Sequence, residues 1–319
     1  MKLRDILSKA GPFLGLIIVL VVFGFLVGPQ FFRPANLELI ARQTAIVCVA
    51  ALGMTMVIVS AGIDLSVGSI IALSTVVIAV MLRDGFSPSI AALGGMAAGA
   101  ACGAITGALI TSLRVVPFIV TLGMMLLVRS AAKGLADERR VEAPITWLND
   151  LLRRVRSDEG GLLPPGIWIT LLVALLVSGV LRYTRFGRHL FAIGSSERTA
   201  RLCGVPVEGS KIAVYTLSAG LAGLAGVLLF ARLSVGDPTA AAGLELDIIA
   251  AVIIGGGSLA GGAGTVSGTL LGATIMSVIQ VGCSQRGLPN WVQQIVTGTI
   301  IVLAVALDRL RERSAESAQ

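Results

Sequence analysis

The sequence predicts an all-α, polytopic membrane protein of about ten transmembrane helices, on three observations. Apolar residues fill 55% of the 319 positions and charged residues only 13%, about half the ~25% charge of a soluble domain. A soluble globule of that composition would expose large apolar areas. The apolar residues also gather into runs that approach the ~20 residues needed to span a bilayer. The same hydrophobicity excludes disorder. Four scattered cysteines (Cys48, Cys102, Cys203 and Cys283), with no CxxC among them, exclude a disulfide scaffold.

The runs lie at about 12–28, 37–60, 65–82, 89–113, 115–132, 167–181, 212–231, 244–260, 262–283 and 289–307. The fifth, sixth and eighth are short, which leaves a count of eight to ten in a single domain, 1–319. Lys2, Arg4 and Lys9 precede the first run. No small-residue cleavage site follows it, so it reads as a span and not as a signal peptide. The net charge of +7 reads as the cytoplasmic Lys/Arg excess of a membrane protein rather than as a nucleic-acid footprint. With both termini cytoplasmic, most short-loop Lys and Arg fall inside, and 182–211 is the richest cytoplasmic loop. The loop at 129–165 then lies outside although it carries seven basic residues; six acids, Asp158 and Glu159 among them, nearly neutralise it.

Glycine spacing adds packing. Gly95, Gly99, Gly103 and Gly107 recur every fourth residue in the fourth run, and Gly264, Gly268 and Gly272 in the ninth. That spacing lines one helix face and lets a neighbouring backbone approach closely. Runs four and nine are five crossings apart and point in opposite directions, which hints at an inverted five-helix repeat of the kind transporters use.

Several chemistries are absent from the sequence. With His189 as the single histidine, a catalytic triad or a His-ligated metal site is not expected. No phosphate-binding GxxxxGK[ST] occurs. Gly255-Gly256-Gly257-Ser258-Leu259-Ala260 loosely fits a dinucleotide fingerprint but lacks a βαβ setting. Ionisable groups sit mainly at span ends, unlike the interior of an ion-driven carrier. The chain reads as a conduit, not an enzyme, whose energy comes from another subunit.

Four constellations remain. At Ala61-Gly62-Ile63-Asp64-Leu65-Ser66, Gly62 breaks the helix, and Asp64 and Ser66 can cap the next one; a buried Asp there also suits binding of a polyol. Ser195–Pro206 reads as a short helix capped by Ser195 or Ser196, with Glu197 in its first turn, Arg201 in its last, Gly204 as stop and Pro206 beyond. It fits a docking knob for a cytoplasmic partner. Phe118 and Thr121 follow Pro117 at i, i+3 and offer an aromatic face and a hydroxyl to a sugar-sized solute. Glu245 and Asp247 fit helix capping or solute recognition equally.

Five segments in this order resemble the ribose/xylose-type permease subunits of bacterial ABC importers. They are Ala61–Ser69; Pro117–Met125; Arg188-His189-Leu190-Phe191-Ala192-Ile193-Gly194 leading to Ala200-Arg201; Ile254–Gly262 with Gly264-Thr265-Val266; and Trp291-Val292-Gln293-Gln294 leading to Leu307-Asp308-Arg309. The match runs from about residue 37 to 311. The resemblance implies an inner-membrane permease for a monosaccharide. It would pair with a second permease copy or paralogue, a separate ATPase that carries ATP and magnesium, and an extracytoplasmic sugar-binding protein; the chain itself would hold no cofactor. It implies that Gly194, Glu197, Ala200, Arg201 and Gly204 couple to the ATPase, and that Asp64, Ser66, Phe118, Thr121 and Asp247 lie near the solute path. The general importer pattern places Glu-Ala-Ala three residues before its Gly. Here Arg198-Thr199-Ala200 stands there, with Glu197 one place early. A nucleoside, a branched-chain amino acid or a sugar-like signal remains an alternative solute, and an ion-coupled carrier an alternative mechanism.

Overall fold

The computed structural model describes residues 3–154 and 163–316; Lys2, Asp158 and Glu159 lie outside them. Described helices are α1 (Leu3–Val27), α2 (Pro34–Val59), α3 (Val67–Arg83), α4 (Pro88–Leu113), α5 (Pro117–Leu135), α6 (Trp147–Asp150), α7 (Pro165–Tyr183), α8 (Arg185–Ser195), α9 (Glu197–Leu202), α10 (Val207–Leu233), α11 (Leu244–Ile254), α12 (Val266–Gln285) and α13 (Asn290–Glu316). Four of them, α2, α4, α5 and α7, open on proline, whose fixed φ and missing N–H suit the first helical position. Among the described residues, six helices are long and apolar enough to cross a membrane: α2, α4, α5, α7, α10 and α12. The protein is an all-α, multi-pass membrane protein.

Helix α2 forms the centre. Every residue from Ala45 to Ser60 is buried, the pattern of a helix that is apolar all round. It packs on α10, α12, α11 and α7; α10 packs on α4 and α3. Leu126, Leu127, Leu175 and Leu176 point out from α5 and α7, as suits a face bathed in hydrocarbon.

Three sequence expectations change. The eighth run, 244–260, is helical only to Ile254. Eleven residues rise about 16 Å, half of a ~30 Å hydrocarbon core. The chain then runs irregularly from Gly255 to Thr265, and Gly264 precedes α12 instead of standing on it. Irregular backbone at such depth is tolerated where it is enclosed by protein. The loop expected at 129–165 begins only after Leu135, because α5 carries Arg129 and Lys133. Likewise Arg182 lies inside α7 and Lys211 inside α10.

The bundle has two distinct ends. At one, hereafter the α9 end, the Gly262 amide donates to the Val59 carbonyl (2.9 Å), which brings together the 60–66 turn, the close of α8 and the 255–265 segment. At the other, β1 (Val141–Glu142) pairs antiparallel with β2 (Val235–Gly236). There Asn149 donates to the Ser234 hydroxyl (2.9 Å) and Arg42 to the Leu152 carbonyl (3.2 Å).

The packing glycines act through space. A Cβ added at Gly99 would fall 2.5 Å from the Ala219 carbonyl oxygen, and at Gly107 2.7 Å from the Ile212 Cα; at Gly103 it would overlap the Tyr215 carbonyl. These three let α4 lie backbone to backbone on α10. Gly95 instead faces the Ile78 side chain of α3 at 2.8 Å. Gly268 and Gly272 face the carbonyls of Gly255 and Ala251, while Gly264 faces mainly the side chains of Val59 and Thr55.

Candidate functional site

The short exposed helix at the α9 end is built by local rules. The Ser196 hydroxyl accepts from the Thr199 amide (3.3 Å), so Ser196 and not Ser195 is the N-cap of α9. The Val205 amide donates to the Ala200 carbonyl (3.0 Å), and Gly204 takes φ +79°, a helix stop that favours glycine. Ala200 is buried against Ile193 and Val207. The Glu197 carboxylate accepts from Lys211 (2.7 Å) and Arg201 (3.2 Å), and Arg201 also pairs with Glu208. The hydrogen bond from Lys211 is the main reason the Glu197 pKa lies below the usual carboxylate range. The two Arg201 pairs are half exposed, so each contributes little to stability; with the Lys211 pair they fix the orientation of α9 on the start of α10.

The α9 element is joined to the bundle interior by backbone. A Cβ at Gly194 would overlap the Val59 carbonyl and lie 2.5 Å from the Gly262 nitrogen. At Gly261 it would lie 2.7 Å from both the Gly194 carbonyl and the Ala61 Cβ. Three segments thus cross with no side chain between them: the end of α2, the end of α8 and the 255–265 segment.

Asp64 lies just beyond this crossing and is fully buried. Its Oδ1 accepts from the Ser66 amide (2.9 Å) and hydroxyl (2.6 Å), while its Oδ2 has no partner among the described residues. The expected capping differs. The Ser66 side chain makes no cap bond to α3, because it is spent on Asp64. Positive φ falls on Ala61 (58°); Gly62 is needed for room, since a Cβ there would lie 2.5 Å from the Tyr215 hydroxyl. Thr121 joins this group by donating to the Ile63 carbonyl (3.1 Å). Phe118 does not, and its ring is exposed on the outside of the bundle.

Asp247 lies apart from Asp64, in a polar chain nearer the opposite end. Its carboxylate accepts from Gln280, whose carbonyl oxygen accepts from Gln43 (3.1 Å). Sequence reasoning passed over Gln43 and Gln280, although carboxamides inside apolar runs are a signal in themselves. It also passed over Asp237, whose Oδ1 accepts from the Thr239 amide (2.8 Å) and hydroxyl (2.6 Å). That turn repeats the Asp64–Ser66 turn after the other long central helix, and the Asp-x-Ser/Thr spacing was the available clue. Among the described residues no group of three or more His, Cys, Asp or Glu could hold a metal ion.

A multi-pass bundle with a broken segment inside it and a short exposed helix at one end has the architecture of a membrane permease. The sequence family described as "branched-chain amino acid transport system / permease component" matches residues 36–305, and the chain belongs to it. It is 40% identical to the ribose import permease protein RbsC of Escherichia coli K12 over 93% of this chain and 92% of that one. Identity to RbsC of Bacillus subtilis is also 40%, over 95% and 94%. The fructose import permease protein FrcC of Rhizobium meliloti is 35% identical over 94% and 85%. No solved structure matches the chain.

Proposed function

We propose that this chain is the inner-membrane permease subunit of a monosaccharide ABC importer. An extracytoplasmic binding protein delivers the sugar, and a separate ATPase that holds ATP and magnesium drives its passage. A second copy of the chain, or a paralogue, completes the channel. The observation that carries this reading is the backbone crossing of Val59, Gly194 and Gly261–Gly262: any displacement of α9 must move the two irregular segments inside the bundle. Gly194, Glu197, Ala200, Arg201 and Gly204 are then the coupling residues, and the α9 end is cytoplasmic along with both termini. Sugar as solute is supported by relatives that carry ribose and fructose in their names.

An inverted repeat fits the packing. Pairing α2–α5 with α10–α13, by way of α2 with α10, maps contact α4·α10 onto α12·α2, α3·α4 onto α11·α12, α3·α10 onto α11·α2 and α3·α5 onto α11·α13, and all eight contacts exist. The Asp64–Ser66 and Asp237–Thr239 turns are mates in this scheme. Helix α1 breaks it: α1 packs on α12, whereas α7 packs on α2. Ten traversals follow, with α11 and the segment after it forming one of them.

The test is purification from the native membrane in mild detergent with identification of the co-purifying proteins. A stoichiometric P-loop ATPase is expected, together with ATP-dependent sugar uptake after reconstitution with the binding protein. A lone chain that accumulates solute on an ion gradient would replace this reading with a secondary carrier.

A further inference from the structure

Between α2, α11, α12 and α13 lies a cavity of about 540 Å³, within the ~300–1,000 Å³ of small-molecule sites. It opens towards the end of the bundle opposite α9. Its polar wall is unusual for a membrane interior. Gln43, Asp247, Gln280, Gln293, Gln294 and Thr297 line it, with Leu244, Leu246 and Ile301 as an apolar wall. Arg232 donates to the Gln43 carbonyl oxygen, Gln43 Nε2 to Gln280 Oε1 (3.1 Å), and Gln280 Nε2 to Asp247 Oδ2. This chain crosses four helices, α10, α2, α12 and α11, and runs along the cavity wall. Gln280 stands five residues before the last of α12, about 7.5 Å below the helix end, where unsatisfied polar groups are costly.

We propose that this cavity is the first station of the solute inside the permease and that it selects neutral polyols; the inference rests on the monosaccharide reading above. A carboxamide both donates and accepts, as does a sugar hydroxyl, so neighbouring carboxamides match a row of hydroxyls without requiring charge. The apolar wall suits the C–H face of a sugar ring. An amino acid zwitterion needs an ammonium partner and a carboxylate partner. The lining holds one ionisable side chain, Asp247, and no cation to meet a carboxylate. The cavity thus favours sugars over the branched-chain amino acids in the family's description. Packing within the chain does not account for the whole wall, because Gln294 lines the cavity and is itself exposed.

The test uses the complete importer, with permease, ATPase and binding protein, in proteoliposomes. Labelled ribose, arabinose, fructose, allose and leucine are the probes, and the readout is solute accumulated per ATP hydrolysed. Gln280→Leu is expected to lower that ratio for the transported sugar about tenfold, and Gln294→Leu about threefold. If uptake and hydrolysis fall in proportion, leaving the ratio unchanged, the chain of carboxamides is a packing device and the proposal is overturned. If Gln280→Leu does not assemble, Gln294→Leu decides alone, and an unchanged ratio overturns the proposal. A wild-type importer that accumulates leucine and none of the sugars would overturn the monosaccharide reading itself, and the polyol assignment with it. Wild-type sugar uptake with unaffected variants would overturn only the cavity.

Discussion

The two ends of the bundle hold the same turn by different means. At the α9 end, Asp64 closes its turn with Ser66, and the neighbouring backbone is fixed by direct crossings at Val59, Gly194 and Gly261. At the opposite end, Asp237 closes an equivalent turn with Thr239; Gly236 beside it lies on the α3 backbone, where a Cβ would fall 3.0 Å from the Thr75 carbonyl oxygen, and long side chains do the rest of the fixing. Arg140 pairs with Asp237 at 2.9 Å, and Arg129 donates to the carbonyls of Pro238 (3.1 Å) and Ala240 (2.6 Å). Backbone crossings leave no slack, so they transmit displacement. Long side chains can release and re-form their bonds one at a time. In the proposed importer, the first arrangement suits the end driven by the ATPase and the second the end that admits the solute.

The largest effect is expected at the crossing itself. Gly194→Val drives a side chain into the Val59 carbonyl and so separates α8 from α2. Overpacking of this kind typically costs ~1–3 kcal/mol and occasionally more. Uptake should be lost and the melting temperature in detergent lowered. Normal uptake in this variant would remove rigidity as the distinction between the two ends.

Substitutions on α9 come next, and they separate drive from stability. Gly204→Val forces a β-branched residue into the left-handed region, at roughly 1–2 kcal/mol. Arg201→Glu sets a third carboxylate beside Glu197 and Glu208. Both should abolish uptake while membrane insertion stays intact, because α9 is exposed and contributes little to the core. The measurement is uptake normalised to inserted protein, and normal transport in both would remove the coupling assignment.

How far the sequence revealed these features follows from how local their causes are. Ser196, Gly204 and Pro206 specify α9 within ten residues, so its position was legible. The Asp64 turn was legible for the same reason. The Val59–Gly194–Gly261 crossing was not, because it joins segments more than 60 residues apart and leaves no periodic mark. The early end of α11 was also missed: Gly255 to Ala260 carries no charge and continues the apolar run, and hydropathy cannot tell a helix from enclosed irregular backbone. The run of three glycines was the one clue to that break. Phe118 and Thr121 were placed on one face by spacing, yet α5 turns Thr121 inward and Phe118 outward.

Asp64 sharpens the comparison at intermediate cost. Asp64→Ala leaves the buried Ser66 amide and hydroxyl unpaired, a loss of ~1–3 kcal/mol, and should reduce uptake about tenfold. Asp64→Asn keeps an acceptor oxygen at the Oδ1 position. Full activity of Asp64→Asn would assign Asp64 to the turn alone and make its charge irrelevant.

The smallest effect is expected at Asp237, and pH exposes it. Burial raises the pKa of this carboxyl, but hydrogen bonds from Thr239 and Arg140 outweigh burial and hold it below its ordinary value. A depressed folded pKa gives stability that is complete above the unfolded value, ~3.9, and is lost as pH falls through the folded one. Acidification from pH 7 to below that unfolded value should therefore loosen the β1–β2 pairing and 136–154, and hydrogen exchange in that segment reads the change. Arg140→Ala removes one of the stabilising partners, raises the folded pKa and should move the loosening to higher pH. The Arg140 side chain is 74% exposed, so the shift should be small. An onset that does not move in Arg140→Ala would mean that Thr239 alone holds the turn. In that case the two ends differ in how their backbones are fixed, and not in the chemistry around their aspartates.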